Sequence, residues 1–203
     1  MATPPRLKAH WFKPEQAKSP AQNASAIAFM AWRIAGHMLK RMREAGFDID
    51  AGPAYFGFMR EVLVFLLAGA DRIAYARLGA DARTPFTTAL VLRTAELLQE
   101  NEADLLGPIE GETYAERFIG QFNTLSEHYA EFGWNEQEGP DFAFVRYLGH
   151  RLEAMVPEKD RRWVIDQVMA AEVPEVVDML GRAMDGVFST EPRRARRSST
   201  SGE

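Results

Sequence analysis

Apolar residues recur along most of this chain at helical spacing, but one stretch loses its polar side altogether. Within Ala54 to Leu78, the nine residues from Val62 to Ala70 (VLVFLLAGA) are apolar all round. A helix wetted on one face keeps a polar stripe there, so this run predicts a buried central helix at about 54–78 with neighbours on most sides. Spanning a bilayer takes roughly 20 apolar residues, so no membrane span is expected from so short a run. Asp50 is the expected N-cap, with Pro53 in the first turn and Gly79 at the end. Ala68, Gly69, Ala70 and Ala74 leave room for another helix to approach closely. Four charges bracket the run. At 100° per residue, Arg60 and Asp71 point within about 20° of each other, as do Glu61 and Arg72, and each pair is separated by about 16 Å along the axis. The members of a pair are too far apart to bond. Buried, they need partners on other helices, because an unpaired buried charge is very costly.

The flanking segments keep the amphipathic pattern. Ser19-Pro20 reads as a cap followed by a first-turn proline, ahead of the stripe Ile27, Ala31, Ile34, Met38, Met42 and Ala45. Lys40, Arg41 and Arg43 suit the negative end of that helix, and Gly46 can supply a left-handed stop. Thr84-Pro85 repeats the starting signal for a third helix carrying Phe86, Leu90, Leu97 and Leu98. Thr113-x-x-Glu116 is a capping box before the stripe Tyr114, Phe118, Phe122, Leu125, Tyr129, Phe132, which Gly133 closes. An acidic loop bearing Trp134 leads to Pro140, the expected start of a fifth helix with Val145, Leu148, Leu152 and Val156 inward. Pro157 interrupts it. Two shorter helices follow, from about Glu158 to Ala171 and from Glu175 to about Phe188. No segment alternates polar and apolar residues, so no strands are expected, and the stripes lack the fixed period of a solenoid. The reading is all-α: a compact single-domain bundle of six or seven helices over residues 19–188. A proline-rich extended arm (1–18), whose Trp11 and Phe12 can dock on the body, precedes it, and a disordered basic tail (189–203) follows.

Charge sharpens this picture. The net charge of −5 over 203 residues conceals twelve acidic residues against the single base Arg117 between Glu96 and Asp141, while residues 1–20 carry +3 and residues 189–203 carry +2. A body of that sign repels nucleic acid and anionic membrane except at its ends. Four arginines in the tail give salt-sensitive contact without any means of reading bases, so no specific nucleic-acid binding is expected. The acidic belt is either a solvated face or a docking surface for a basic partner or a second copy's basic ends. Absence of cysteine excludes disulfides, thiolate metal sites and cysteine nucleophiles. With no apolar signal-peptide core after the first basic residues, a cytoplasmic location is expected.

Candidate chemistry is sparse. There is no phosphate-binding G-x-x-x-x-G-K-[ST] loop, no G-x-G-x-x-G turn, no G-x-S-x-G elbow and no H-E-x-x-H helix, so no residue is assigned a catalytic role. Arg60, Glu61, Asp71 and Arg72 are candidates for a polar pocket in which burial raises the pKa of a carboxyl; the competing account is ion networks that fix helix register. His128-x-x-Glu131 and His150-x-x-Glu153 each place a histidine and a carboxylate on one helix face. Packed together, and with Glu61 or Asp71 as a further ligand, they would suit a divalent metal. Their order is the reverse of the Glu-x-x-His of carboxylate-bridged bundles, which favours ordinary ion pairs. His37, on a basic helix surface, needs no ligand role, and the aromatic stripe reads as core. No cofactor is predicted. The leading expectation is a non-enzymatic protein-interaction module that binds a partner protein or, as a homodimer, itself. The alternative, which leaves a catalytic role open, is a bundle holding a small ligand or metal between the central helix and the fourth and fifth helices, through Glu61, Asp71, His128 and His150.

Overall fold

A computed structural model describes residues 19–188; the arm and the tail, with Trp11, Phe12 and the four tail arginines, lie outside the described residues. The architecture is all-α: α1 (Pro20–Glu44), α2 (Pro53–Arg77), α3 (Ala80–Leu106), α4 (Tyr114–Ala130), α5 (Phe142–Glu153), α6 (Glu158–Gln167) and α7 (Val173–Phe188). The α2 helix is the centre, packed against α1, α3, α4, α5 and α7. Every position from Val62 to Ala70 is buried, which accounts for the missing polar stripe.

Local signals explain most of the ends. The Ser19 hydroxyl accepts from the Gln22 amide at 3.2 Å and the Gln22 side chain accepts from Ser19 at 3.0 Å, closing a capping box. Thr113 and Glu116 form the second box, whose hydrogen bonds from Thr113 hold the Glu116 carboxyl below the usual range. Gly46 adopts φ +94° just after α1, as a left-handed stop requires.

Several boundaries differ from the sequence reading. Gly52, not Asp50, occupies the N-cap of α2. The third helix begins at Ala80 with Gly79 as its N-cap, leaving Pro85 inside it. Pro85 forgoes one backbone bond, and the earlier start adds a turn with Asp81 at its positive end and Arg83 within reach of Asp71. Pro140 belongs to a short antiparallel hairpin rather than to α5: β1 (Trp134–Asn135) pairs with β2 (Gly139–Pro140) in the register Trp134↔Pro140 and Asn135↔Gly139. Two residues per strand are too few to show alternation. Asp141 caps α5 instead, accepting from Phe144 N and Gly133 N, both at 2.8 Å.

The last two helices do not break at Val173-Pro174. They join through a π-helical turn, Val168–Glu172, in which Val173 N donates to Val168 O. Pro174 has no N–H for Ala170 and its ring crowds that carbonyl, so the chain widens by one residue instead of stopping. By length and composition α2 is apolar enough to cross a membrane, contrary to the count of uninterrupted apolar residues. Its best 18-residue window has mean hydropathy 1.3 and is 78% buried inside the bundle.

Candidate functional site

The charges that bracket the central run are satisfied by three neighbouring helices, in the directions their spacing dictates. Arg60 and Asp71 both face α3. Arg60 Nη1 donates to both oxygens of Glu102, at 2.8 and 2.6 Å, while Asp71 accepts from Arg83 Nε at 3.0 Å and Thr87 Oγ1 at 2.6 Å. Glu61 and Arg72 face α4 and α5. Glu61 accepts from Arg151 Nε at 3.0 Å, Arg151 Nη2 at 2.6 Å and Gln121 Nε2 at 2.9 Å. Arg72 Nη2 donates to the carbonyls of Tyr129, Ala130 and Phe132, at and just beyond the C-terminal end of α4. The four candidates therefore do not share one pocket. Asp71 and Arg72 line a surface cavity of about 390 Å³ with Arg83, Thr87 and Ser126, and Arg60 and Glu61 lie elsewhere.

Burial raises the acids among these groups, and at the arginine a hydrogen bond outweighs it. Glu102 is fully buried, and burial pushes its carboxyl up against the pull of Arg60. The hydrogen bond to Glu61 raises the Arg151 guanidinium further. Beside them, desolvation raises the Tyr129 phenol well above its usual value. The space between α2, α4 and α5, where the ligand alternative would need room, holds Phe65, Tyr129 and Phe144 in edge and tilted contacts 4.5–6.1 Å apart.

The two His-x-x-Glu pairs do not converge. His128 Nδ1 lies 2.6 Å from the Tyr147 hydroxyl, and His150 Nδ1 lies 3.1 Å from Glu153 with Arg146 Nε 3.3 Å from its other nitrogen. Glu131 is exposed, and no group of three or more metal-ligating side chains occurs among the described residues. His37 has a different role from the one its basic neighbours suggest. It meets Glu175 at 2.8 Å, next to Arg41, which bonds Glu175 at 2.7 Å and the buried Glu172 at 2.9 Å. The bond to His37, aided by Arg41, holds the Glu175 carboxyl below its usual range. The π turn is what carries Glu172 inward to this network.

A further concavity is one that the sequence reading did not assemble. A cleft of about 840 Å³ runs between the 134–140 hairpin and α7, with Ile73, Val145, Met169, Val173 and Val177 among its lining and Trp134 as a wall. Trp134 is held by a T-shaped contact with Phe144 at 5.3 Å. It also sits directly over Gly69 of α2: a Cβ there would stand 2.9 Å from the indole and 3.2 Å from Leu180 of α7. The small residue thus admits both walls of the cleft. On the rim, Arg77 pairs with Asp185 at 2.6 Å and Arg182 with Asp178 at 2.5 Å, whereas Glu136 and Glu138 have no ion-pair partner among the described residues. One signal could have revealed the hairpin. Asn135 Oδ1 accepts from Gln137 N and Glu138 N at 2.8 and 3.1 Å, and Gly139 follows at φ +82°, so Asn-x-x-x-Gly marked a turn rather than an open loop.

Compared with known protein families, curated proteins and solved structures, the chain matches none. Its functional reading therefore rests on its own residues.

Proposed function

We propose that this protein is a cytoplasmic protein-interaction module whose cleft beside α7 receives an apolar segment flanked by basic residues on a partner protein. The observation that carries this reading is the pairing of an apolar lining with two rim carboxylates, Glu136 and Glu138, that no cation neutralises among the described residues. Apolar side chains entering the cleft supply affinity by leaving water, and the two carboxylates select the sign of the flanking charge and speed encounter. The acidic belt extends that field over the surface: of its twelve acidic residues only Glu102 is buried, the rest being exposed.

Titration of the full chain with basic, neutral and acidic amphipathic peptides of matched apolar content tests the reading. The basic peptide should bind most tightly, weaken with salt, and lose its advantage in a Glu136→Lys/Glu138→Lys variant. Equal binding of all three peptides, or a preference for the basic one that survives the double reversal, overturns it.

A further inference from the structure

One wall of the cleft is a row of residues along α7. Val173, Val177, Gly181 and Asp185 all line it, and their spacing of four places them one above the next on a single face of the helix. From Val173 to Asp185 the row runs about 18 Å, a little over three turns. Helices pack by seating such rows in the grooves of a neighbour, and along the cleft this row borders open space. The opening is deepest at Gly181, where an added Cβ would find nothing within 4 Å. A partner's side chain has room there.

The main chain around the cleft offers little to an extended ligand. A strand added to an edge is held by main-chain hydrogen bonds and needs a run of free partners. Here the amides of Gln137 and Glu138 are spent on Asn135 Oδ1, and Pro140 and Pro174 have no N–H. Ile73, Val145 and Val177 lie inside helices, and Val173 N is bonded to Val168 O across the π turn. An extended segment would press its carbonyls against these walls without donors to meet them, each at a cost comparable to a lost hydrogen bond. A helix arrives with its main chain already satisfied.

Charge selects the flank. Arg77 and Arg182 are committed to Asp185 and Asp178, so the unspent charge is that of Glu136 and Glu138 on the hairpin. The α2 helix ends at Arg77, also on the cleft, and its carbonyl end adds to the negative field.

We propose that the partner segment is an amphipathic α-helix of about three turns, its apolar stripe seated along Val173, Val177 and Gly181 and its basic residues on the flank facing Glu136 and Glu138. This rests on the reading of the cleft as a recognition site and adds the conformation of what it recognises.

Two peptides of identical composition, titrated calorimetrically into the full chain, test the conformation. In one, leucines recur three and four apart with lysines beside the stripe; in the other, the same residues alternate, as suits a strand. The helical isomer should bind about tenfold more tightly, and a proline in its middle should remove that advantage. Equal affinities, or tighter binding of the alternating isomer, overturn the helical occupant and leave the cleft as a binding site. No binding of either isomer overturns the cleft reading together with the proposal.

A second measurement tests the position. Gly181→Leu fills the opening in the row at a point where the bundle has space for a side chain, so thermal unfolding should show it as stable as the natural protein. It should weaken the helical isomer about tenfold, as one misplaced apolar contact in a packed interface does. Gly36→Leu, at an equally open glycine of α1 outside the cleft lining, should leave the affinity unchanged. Unchanged or tighter binding to Gly181→Leu places the helix elsewhere and overturns the proposal.

Discussion

Replacing Arg60 with methionine isolates the cost of a buried charge in this fold. The Arg60 side chain is 15% exposed and that of Glu102 is 0% exposed, with both carboxylate oxygens 2.6–2.8 Å from one guanidinium nitrogen. At an effective dielectric of about 20, unit charges so close attract by about 6 kcal/mol. Desolvation of the two groups offsets much of this, so the intact pair contributes little net stability. Methionine keeps the apolar stem but strands Glu102, and the expected loss is about 3–5 kcal/mol. Arg60→Met/Glu102→Leu removes the stranded charge as well and should recover to within about 1 kcal/mol of the natural protein. Urea unfolding followed by circular dichroism reads both as a shifted midpoint at constant slope.

The pH dependence follows with a definite sign. Burial already raises the Glu102 carboxyl, so the folded state holds its proton more tightly than the unfolded chain does. Such a group's contribution is fully present below its unfolded pKa and is lost as pH rises through the folded pKa. Removing Arg60 strengthens the upward shift. The deficit of Arg60→Met should therefore shrink as pH falls through the carboxylate range and Glu102 becomes neutral. A single variant costing under about 1 kcal/mol, or a double variant costing the sum of the two single losses, would show that the charges are not coupled in a dry interior.

Two glycines should respond to alanine with opposite signs in the same unfolding assay. Gly36 in α1 has nothing within 4 Å of an added Cβ and should gain about 0.5–1 kcal/mol, whereas at Gly149 the Cβ would meet the Ile165 backbone Cα at 3.3 Å and force α5 from α6, losing about 1–3 kcal/mol. Asp141→Ala removes the cap of α5 and the acceptor for Gly133, an expected loss of about 1–2 kcal/mol at neutral pH. The Asp141 carboxyl is held low chiefly by the Phe144 amide, so its contribution is present above the unfolded pKa and lost as pH falls through the folded one; the difference between variant and natural protein should narrow in acid.

The parts of the fold that could be read from the sequence are those fixed by local chemistry or by one helix's periodicity. Ser19 and Thr113 announce their helices through boxes they complete themselves, and the run Val62 to Ala70 declares burial by lacking a polar side. Even the directions of Arg60, Glu61, Asp71 and Arg72 follow from 100° per residue, although their partners Glu102, Arg151 and Arg83 do not. Signals failed where proline has more than one solution. Pro85 rides inside α3 at the loss of one hydrogen bond, and Pro174 is absorbed by a widened turn instead of ending a helix. The cleft was hidden for another reason. Its lining comes from α2, the hairpin, α5, the π turn and α7, and no single periodicity brings such distant positions together.

Burial also divides the acidic residues into two kinds that a charge count treats as one. Glu61, Glu102 and Glu172 are inside, and each is met by an arginine from another helix: Arg151, Arg60 and Arg41. Their fields are spent on those partners, so reversing one charge places two like charges in a poorly solvated space and attacks the fold. Glu136 and Glu138 stand in water on a turn and lack such partners among the described residues. Reversing them should leave stability within about 0.5 kcal/mol, because solvent carries the change. Their full charge is available to whatever enters the cleft. The same residue type thus fixes helix register at one depth and, on the reading proposed for the cleft, selects a ligand at another, and only the second role can vary without endangering the bundle.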